Sequence, residues 1–301
     1  MSTNASTKVI IAALIGNTLI SITKFFAAFM TGSSAMLSEG VHSLVDTGNQ
    51  VLLLHGMKQA KKPADEAFPF GHGKEIYFWS FVVAILIFAV GSGVSVYEGI
   101  RHVIHPNQIE NPMVNYVVLG LAMVFEGAAW FFAFKEFGKV KGKRGYIEAV
   151  QRGKDPSMFV VLFEDSAALL GLLIALLGIW LAQVTGNPVF DGVASILIGV
   201  ILGGTAIWLA IETKGLLIGE GANKEVISNI RSIAESFDEV EKVNELLTMH
   251  MGPEFILVNI SIRFKRGQLT REIEAVIQDI DSVIKAKHGF VKRIFVEAEP
   301  A

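Results

Sequence analysis

Residues 157–185 read SMFVVLFEDSAALLGLLIALLGIWLAQVT, an apolar run that contains two adjacent carboxylates, Glu164 and Asp165. A helix needs roughly 20 apolar residues to cross a bilayer, so this run is long enough to span one. An ionisable side chain at mid-membrane costs about 2.5–3.5 kcal/mol on insertion scales, and two neighbouring ones are difficult to explain by packing. The stretch therefore predicts a membrane-spanning helix that carries a polar site.

Five further apolar segments have the length of a spanning helix, at about 9–30, 33–57, 76–100, 113–134 and 189–213. The chain has 301 residues, of which 51% are hydrophobic and only 18% charged, and its mean hydropathy is +0.49. Soluble domains carry about 25% charged residues. We therefore predict an α-helical membrane protein with six transmembrane helices in a domain at 1–213. The net charge of −3 does not indicate a nucleic-acid partner.

The sequence acquires the character of a soluble protein after Lys214. The order helix, strand, strand, helix, strand is predicted by apolar spacing at 223–237, 240–249, 254–264, 270–287 and 290–297. In the second strand an apolar residue stands at every even position from Ile256 to Ile262, the alternation of a half-buried strand. We therefore predict a separate α+β domain at 214–301, with helices covering one face of a small sheet.

Basic residues are concentrated in two connections on the same side of the predicted bundle. The positive-inside rule places that side, and with it both termini, in the cytoplasm. The stretch from Met1 to Lys8 is too short and too polar for a cleaved signal peptide. This feature and the compact loops favour a bacterial inner membrane. The basic residues are Lys58, Lys61, Lys62 and Lys74 in one connection and Lys135, Lys139, Lys141, Lys143, Arg144, Arg152 and Lys154 in the other.

The absence of cysteine leaves histidine nitrogen and carboxylate oxygen as the available metal donors. In the second apolar segment His42 and Asp46 are four residues apart, so they lie on the same face of a helix and can offer one nitrogen and one oxygen to a single ion. The alternative is a buried His–Asp hydrogen bond that helps helices to pack.

The Glu164–Asp165 pair has two interpretations, a polar site or a solvated cytoplasmic helix end. Their distance beyond Asp155-Pro156 is about 13–15 Å along a helix, which is roughly half of the hydrocarbon thickness. A position deep in the membrane is therefore favoured. Asn17, Lys24 and Glu126 are further polar residues within apolar segments, and they contact this site or one another. For Glu126 a role as a proton acceptor and a structural role both stay open.

Three motifs resemble those of the cation diffusion facilitators. They are GSSAMLSEGVHSLVD at 32–46, FGHGK at 70–74 and NPVFD at 187–191. They occur in the order found in that family, and the resemblance covers nearly the whole chain. It implies six helices, a ferredoxin-like cytoplasmic tail, and a homodimer in the lipid bilayer that exchanges divalent cations for protons.

The resemblance also implies a transport site with two ligands from helix two and two from helix five. Matching positions here are His42, Asp46 and Asp165, but the fourth falls on Val161, which cannot bind a metal. Glu164, Glu126 or water completes the site, or the site stays incomplete, and we favour Glu164. The adjacent Glu-Asp pair resembles the zinc-transporter-nine-like branch of the family.

The secondary metal sites of the family have fewer matching ligand residues in this chain. Asp65 and His72 match ligand positions in the loop after helix two, whereas Phe68 stands where another histidine often occurs. Histidine is also sparse in the tail, which has His250 and His288. The resemblance therefore implies a possible loop site and a tail dimer held by packing alone.

We predict that the chain exports Zn²⁺ in exchange for protons, because both compete for the same lone pairs of histidine and carboxylate. Carboxylate-rich sites also suit Mn²⁺ or Fe²⁺, and Co²⁺ and Cd²⁺ are further alternatives. A membrane hydrolase and a non-transporting metal sensor are the rival classes. The His-Glu-x-x-His motif of zinc hydrolases is absent from the sequence, so we predict no enzyme.

Overall fold

The structure, a computed structural model, describes residues 3–141, 145–151 and 155–299. Lys143, Arg144, Arg152 and Lys154, which were used to orient the helices, lie outside these residues. The chain forms two compact units. The first is Met1–Gly56, Trp79–Ala149 and Pro156–Thr213, and the second is Met57–Phe78, Val150–Asp155 and Lys214–Ala301. The second unit thus combines the predicted tail domain with the connection after the second helix.

Long helices account for the first unit. They are α1 (Thr3–Thr31), α2 (Ser34–Ala60), α3 (Glu75–Leu86), a π-helical segment (Ile87–Ser92), α4 (Gly93–Ile104), α5 (Pro112–Lys141), the short α6 (Tyr146–Gln151), α7 (Pro156–Thr185) and α8 (Val189–Ile218). Gly32 and Gly186 follow α1 and α7 with φ of 68° and 67°. These left-handed conformations end the helices and favour glycine, which has no Cβ to clash.

Within the described residues, four stretches are long and apolar enough to cross a membrane. They are Glu75–Ile104, Pro112–Gly138, Phe159–Thr185 and Val189–Ile218. The first of them runs without a break through α3, the π-helical segment and α4. The four stretches coincide with the third to sixth predicted segments, so the apolar helical character of the first unit is confirmed. For α1 and α2 the spanning character stays a prediction.

Glycines of α8 bring this helix against α4 at backbone distance. A Cβ added at Gly199 would lie 2.9 Å from the backbone nitrogen of Val96 and 3.0 Å from the carbonyl oxygen of Ser92. At Gly192 the added Cβ would lie 3.0 Å from the carbonyl oxygen of Gly99. Small residues permit this close approach and are typical of helix packing in membranes, where dispersion forces replace the hydrophobic effect.

We expect Gly199→Ala to destabilise the first unit by about 1–3 kcal/mol, because the new methyl group overlaps backbone atoms that cannot rotate away. Thermal unfolding of the detergent-solubilised protein measures the effect. Gly204→Ala is the matched control, since a Cβ at Gly204 meets nothing within 4 Å. Equal melting temperatures for the two variants would contradict the close packing of α4 and α8.

The second unit contains the predicted order of helices and strands. Its elements are α9 (Lys224–Ala234), β1 (Val240–Gly252), β2 (Phe255–Phe264), α10 (Thr270–Lys287) and β3 (Val291–Glu299). The sheet has the order β1-β2-β3, and β2 pairs antiparallel with β1 and parallel with β3. The small sheet with helices is thereby confirmed, whereas the ferredoxin-like fold itself stays a prediction.

The core of the second unit lies between the sheet and its helices. The predicted alternation in β2 is confirmed, because every even-numbered residue from Ile256 to Ile262 is buried. These side chains pack with the apolar faces of α9 and α10, including Ile230 and Ile280. Helix α10 begins at Thr270 as predicted, and the Glu272 carboxylate accepts a hydrogen bond from the backbone nitrogen of Leu269 at 2.9 Å.

The connection after α2 packs against the hairpin formed by β1 and β2. Gly73 of the FGHGK motif is so close to this hairpin that an added Cβ would lie 2.3 Å from the carbonyl oxygen of Met251. Nearby, the rings of Phe70 and Phe295 are 6.5 Å apart in an edge-to-face arrangement. The motif predicted from sequence therefore serves as a packing surface within the second unit.

Candidate metal centre

One face of α2 carries four polar residues at helical spacing. Glu39, His42, Ser43 and Asp46 stand at positions i, i+3, i+4 and i+7, so they form a single stripe. Glu39 and His42 are fully buried, and the Asp46 side chain is only 18% exposed. Because helix α2 turns this stripe into the first unit, the residues predicted from sequence lie in the interior.

The imidazole of His42 is buried without a hydrogen bond. Its Nδ1 lies 3.2 Å from Oδ1 of Asp46, yet this pair does not have hydrogen-bond geometry. Among the described residues neither ring nitrogen of His42 has a hydrogen-bond partner. Buried polar atoms are normally paired, so these lone pairs are available to a ligand. The interpretation of His42 and Asp46 as a packing hydrogen bond is therefore not supported by their geometry.

Two carboxylates of α7 approach the same region. Glu164 is buried, accepts a hydrogen bond from Nδ2 of Asn49 at 2.6 Å, and lies beside the carboxyl group of Asp46. Asp165 is half-buried. Since adjacent helical residues point about 100° apart, Glu164 packs against α2 while Asp165 occupies the flank of α7.

These carboxylates surround one cavity of about 190 Å³. Its acidic lining residues are Asp46, Glu126, Glu164 and Asp165. Val161, four residues before Asp165, also lines the cavity and offers no donor atom. His42 is not part of the lining and reaches the cavity only through Asp46. Within residues 3–141, 145–151 and 155–299, no three His, Asp or Glu side chains converge closely enough to hold a metal ion together.

Lys24 of α1 forms a network that the sequence indicated only in part. Its ammonium group donates a hydrogen bond to Oε1 of Glu126 at 2.7 Å. This is one of the contacts that were predicted among Asn17, Lys24, Glu126 and the site. The ammonium group also donates to Oε2 of Glu39 at 3.0 Å and to Oγ of Ser43 at 2.7 Å. Glu39 was not predicted to belong to this network, because nothing in its local sequence indicates a contact with Lys24, which lies 15 residues away.

A second polar cluster lies where α8 begins. Asp191 is fully buried, accepts from Oγ of Ser33 at 2.7 Å and also accepts from the backbone nitrogen of Ser34. A carboxylate at this place caps the first turn of α2 and complements its dipole. One turn further, the hydroxyl groups of Ser38 and Ser195 are hydrogen-bonded at 2.5 Å. The two contacts fix the start of α2 against α8.

His102 is a buried residue near the end of α4, which extends to Ile104. Its Nε2 lies 3.7 Å from Oδ2 of Asp191, beyond hydrogen-bond distance. The last turn of α4 therefore places His102 beside α8.

The loop candidates lie together in the second unit. Nε2 of His72 and Oδ2 of Asp65 are 2.9 Å apart, and the ring of Phe68 packs on the imidazole with centroids 4.5 Å apart. The hydrogen bond to His72 and a backbone N–H donated by Phe68 hold the pKa of Asp65 below its usual value. Phe68 supplies a hydrophobic contact where a third donor would be needed, so the pair offers two ligand atoms.

Two family domains match the chain over most of its length. Residues 10–218 match the cation efflux transmembrane domain, and residues 222–301 match the cytoplasmic domain of cation efflux proteins. The chain therefore belongs to the cation efflux family, also called the cation diffusion facilitators. The resemblance of its three sequence motifs to this family is confirmed.

The curated relatives include transporters of two metals. The mitochondrial proton-coupled zinc antiporter SLC30A9 of Xenopus laevis is 34% identical over 279 residues, which are 92% of this chain and 50% of the antiporter. Metal tolerance protein C4 of Arabidopsis thaliana is 30% identical over 88% of this chain and 58% of its own length. The manganese efflux system protein MneP of Bacillus subtilis is 21% identical over 98% of this chain and 96% of its own length. This chain spans about half the length of the zinc antiporter.

We expect Asp191→Ala to lower the stability of the first unit by about 1–3 kcal/mol, because it leaves the buried donors of Ser33 and Ser34 without a partner. The melting temperature of the detergent-solubilised protein checks this expectation. Glu110→Ala is the control, since Glu110 is exposed. A melting temperature for Asp191→Ala equal to that of the control would show that α2 does not depend on this cap.

Proposed function

We propose that the chain is a divalent metal efflux transporter that moves Zn²⁺ out of the cytoplasm in exchange for protons. The observation that carries this proposal is the cavity lined by carboxylates of α2, α5 and α7, together with the unpaired imidazole of His42, which lies 3.2 Å from Asp46. Ionisable groups inside a membrane domain are expensive and mark ion pathways. Relatives that are named as zinc antiporter and manganese efflux protein support the same function.

His42, Asp46, Asp165 and Glu164 are the proposed zinc ligands, with Glu164 in the fourth position. Zinc accepts nitrogen and oxygen donors in tetrahedral sites, and this set supplies one imidazole and three carboxylates. Contacts of Asp46 with both His42 and Glu164 support a common site. Movement of α2 relative to α7 by a few ångströms has to bring the four donors to one point, and Asn49 orients Glu164 for that step.

Protons and metal compete for the same oxygens in this proposal. A proton shared between neighbouring carboxyl groups takes the place of the metal in the empty site, and Asp46 and Glu164 line the same cavity. Metal binding from the cytoplasm displaces this proton, and protons from the other side displace the metal. Alternate exposure of the site follows from rocking of helices around it.

The proposed assembly is a homodimer in which each chain crosses the membrane six times, with both termini in the cytoplasm. The cytoplasmic-domain match over residues 222–301 supports dimerisation through a ferredoxin-like domain at 214–301. Bacterial relatives such as the manganese efflux protein support the bacterial inner membrane as the location. We also propose Asp65 and His72 as a secondary metal site in the cytoplasmic loop, which their 2.9 Å contact supports.

Export of Mn²⁺ is a second candidate function. It is favoured by the four carboxylates that line the cavity, because oxygen-rich sites suit manganese. Purified protein in vesicles, supplied with Zn²⁺, Mn²⁺, Fe²⁺, Co²⁺ or Cd²⁺, separates the candidates. Zinc uptake that accelerates with an opposing pH gradient supports zinc–proton antiport. Metal binding without uptake of any ion would instead indicate a sensor.

We expect Asp46→Ala and Asp165→Ala to abolish nearly all zinc flux, because each removes a proposed ligand from the cavity. The measurement is zinc uptake into vesicles that contain equal amounts of protein. Asp279→Ala, an exposed position on α10, is the matched control for removal of an aspartate and is expected to transport like the wild type. Normal flux in either cavity variant would overturn the ligand assignment.

The fourth ligand has a separate test. We expect Glu164→Gln to raise the zinc concentration needed for half-maximal uptake by about tenfold or more, a typical loss when a group in or around a metal site changes. Glu98→Gln on α4 is the control, since Glu98 does not line this cavity. Asn49→Ala is expected to have a smaller effect in the same direction, because it removes only the group that orients Glu164. An unchanged concentration in Glu164→Gln would exclude Glu164 as a ligand.

A further inference from the structure

The ammonium group of Lys24 is a permanent cation beside the proposed metal cavity. Its side chain is fully buried, and its three partners, Glu39, Ser43 and Glu126, lie at 2.7–3.0 Å. A buried ammonium group is tolerated only when opposite charges and hydrogen bonds replace its hydration. Here two carboxylates and one hydroxyl group satisfy its three donors, so the lysine is held in a fixed position.

The two carboxylates that hold Lys24 differ in where they lie. Glu39 points toward α7, where a Cβ added at Gly171 would lie 2.4 Å from its Oε1, and Glu39 is not part of the cavity lining. Glu126 does line the cavity, together with Asp46, Glu164 and Asp165. Glu126 therefore belongs to both the lysine network and the cavity, whereas Glu39 belongs to the network alone.

The carboxylate of Glu126 is half engaged. Oε1 accepts the 2.7 Å hydrogen bond from Lys24, whereas Oε2 is buried and has no hydrogen-bond partner among the described residues. An oxygen in this place is a natural ligand for a cation in the cavity, but an ammonium group in direct contact attracts the carboxylate away from that cation and repels the cation itself.

We infer that Lys24 sets the metal preference of the cavity by holding Glu126 out of the coordination sphere. This inference rests on the proposed function, because it assumes that the cavity binds the transported metal. Lys24 is a positioning residue that touches no metal. With Glu126 engaged, a metal meets one imidazole and a small number of carboxylates, which suits four-coordinate zinc. With Glu126 released, an additional anionic oxygen favours manganese, which prefers more oxygen ligands.

Equilibrium binding of Zn²⁺ and Mn²⁺ to the purified, detergent-solubilised protein tests this inference, because a ratio of affinities is independent of the amount of folded protein. In Lys24→Met we expect the preference for zinc over manganese to fall by about tenfold, the lower end of the effect of groups that orient metal ligands. Two double variants show which carboxylate is responsible for the change in metal preference. K24M/E126Q is expected to restore the wild-type ratio, whereas K24M/E39Q is expected to keep the lowered one.

Several outcomes would overturn the inference. Equal weakening of the binding of both metals in Lys24→Met would show a purely structural role for Lys24. Restoration of the wild-type ratio by E39Q as effectively as by E126Q would exclude Glu126 as the residue that changes the preference.

Lys24→Gln replaces Lys24→Met if the methionine variant is not monodisperse, since the glutamine amide still donates to Ser43 and a carboxylate but carries no charge. Vesicle flux is measured separately. Absence of wild-type flux with the expected binding ratios would overturn only the proposed function, and absence of wild-type binding would overturn both.

Discussion

A charge that is fully buried in the interior of the membrane domain has to be balanced by neighbouring groups, because hydrocarbon does not solvate it. This constraint organises the region around α2. The ammonium group of Lys24 brings together α1, α2 and α5, since its partners Glu39 and Glu126 belong to two other helices. The pairing of Glu164 with Asn49 joins α7 to α2 in the same way. Buried polar groups lower the stability of the domain when they are unpaired. Through their hydrogen bonds the same groups also position its helices.

Some buried polar groups of the first unit use every donor, whereas others keep atoms without a hydrogen-bond partner. The three donors of Lys24 are all used, whereas the ring nitrogens of His42 and one oxygen of Asp46 have no hydrogen-bond partner among the described residues. Unpaired buried groups lower stability, so their presence in a folded protein calls for a compensating role. In the proposed function that role is transient binding, for which an incompletely paired site is better suited than a saturated one.

Sequence periodicity predicted the helices and the sheet because both depend on local spacing. Apolar length identified α3 with α4, α5, α7 and α8 as helices long and apolar enough to cross a membrane, and alternation at Ile256–Ile262 identified the buried face of β2. Spacing also predicted candidate residues that share one helix, such as His42 and Asp46. It did not predict which residues of different helices pair with each other. Glu39 with Lys24, and Asp191 with the first turn of α2, are separated by 15 and 157 residues, and no local pattern encodes such partners. Whether the predicted ligands meet at one metal ion is likewise a question of helix positions, which spacing along one helix does not determine.

The fixed start of α2 gives this helix the mechanics of a lever. Asp191 and Ser195 tie its first two turns to α8, and α8 touches α4 through backbone atoms that resist sliding. The α4–α8 pair is thus the fulcrum. Asp46 lies about 18 Å beyond Ser34 along α2, so a tilt of about 10° displaces it by about 3 Å while the first turn hardly moves. A small rotation at the start of α2 would therefore move the cavity end of the stripe further than the first turn, and the opposite end of the helix further still.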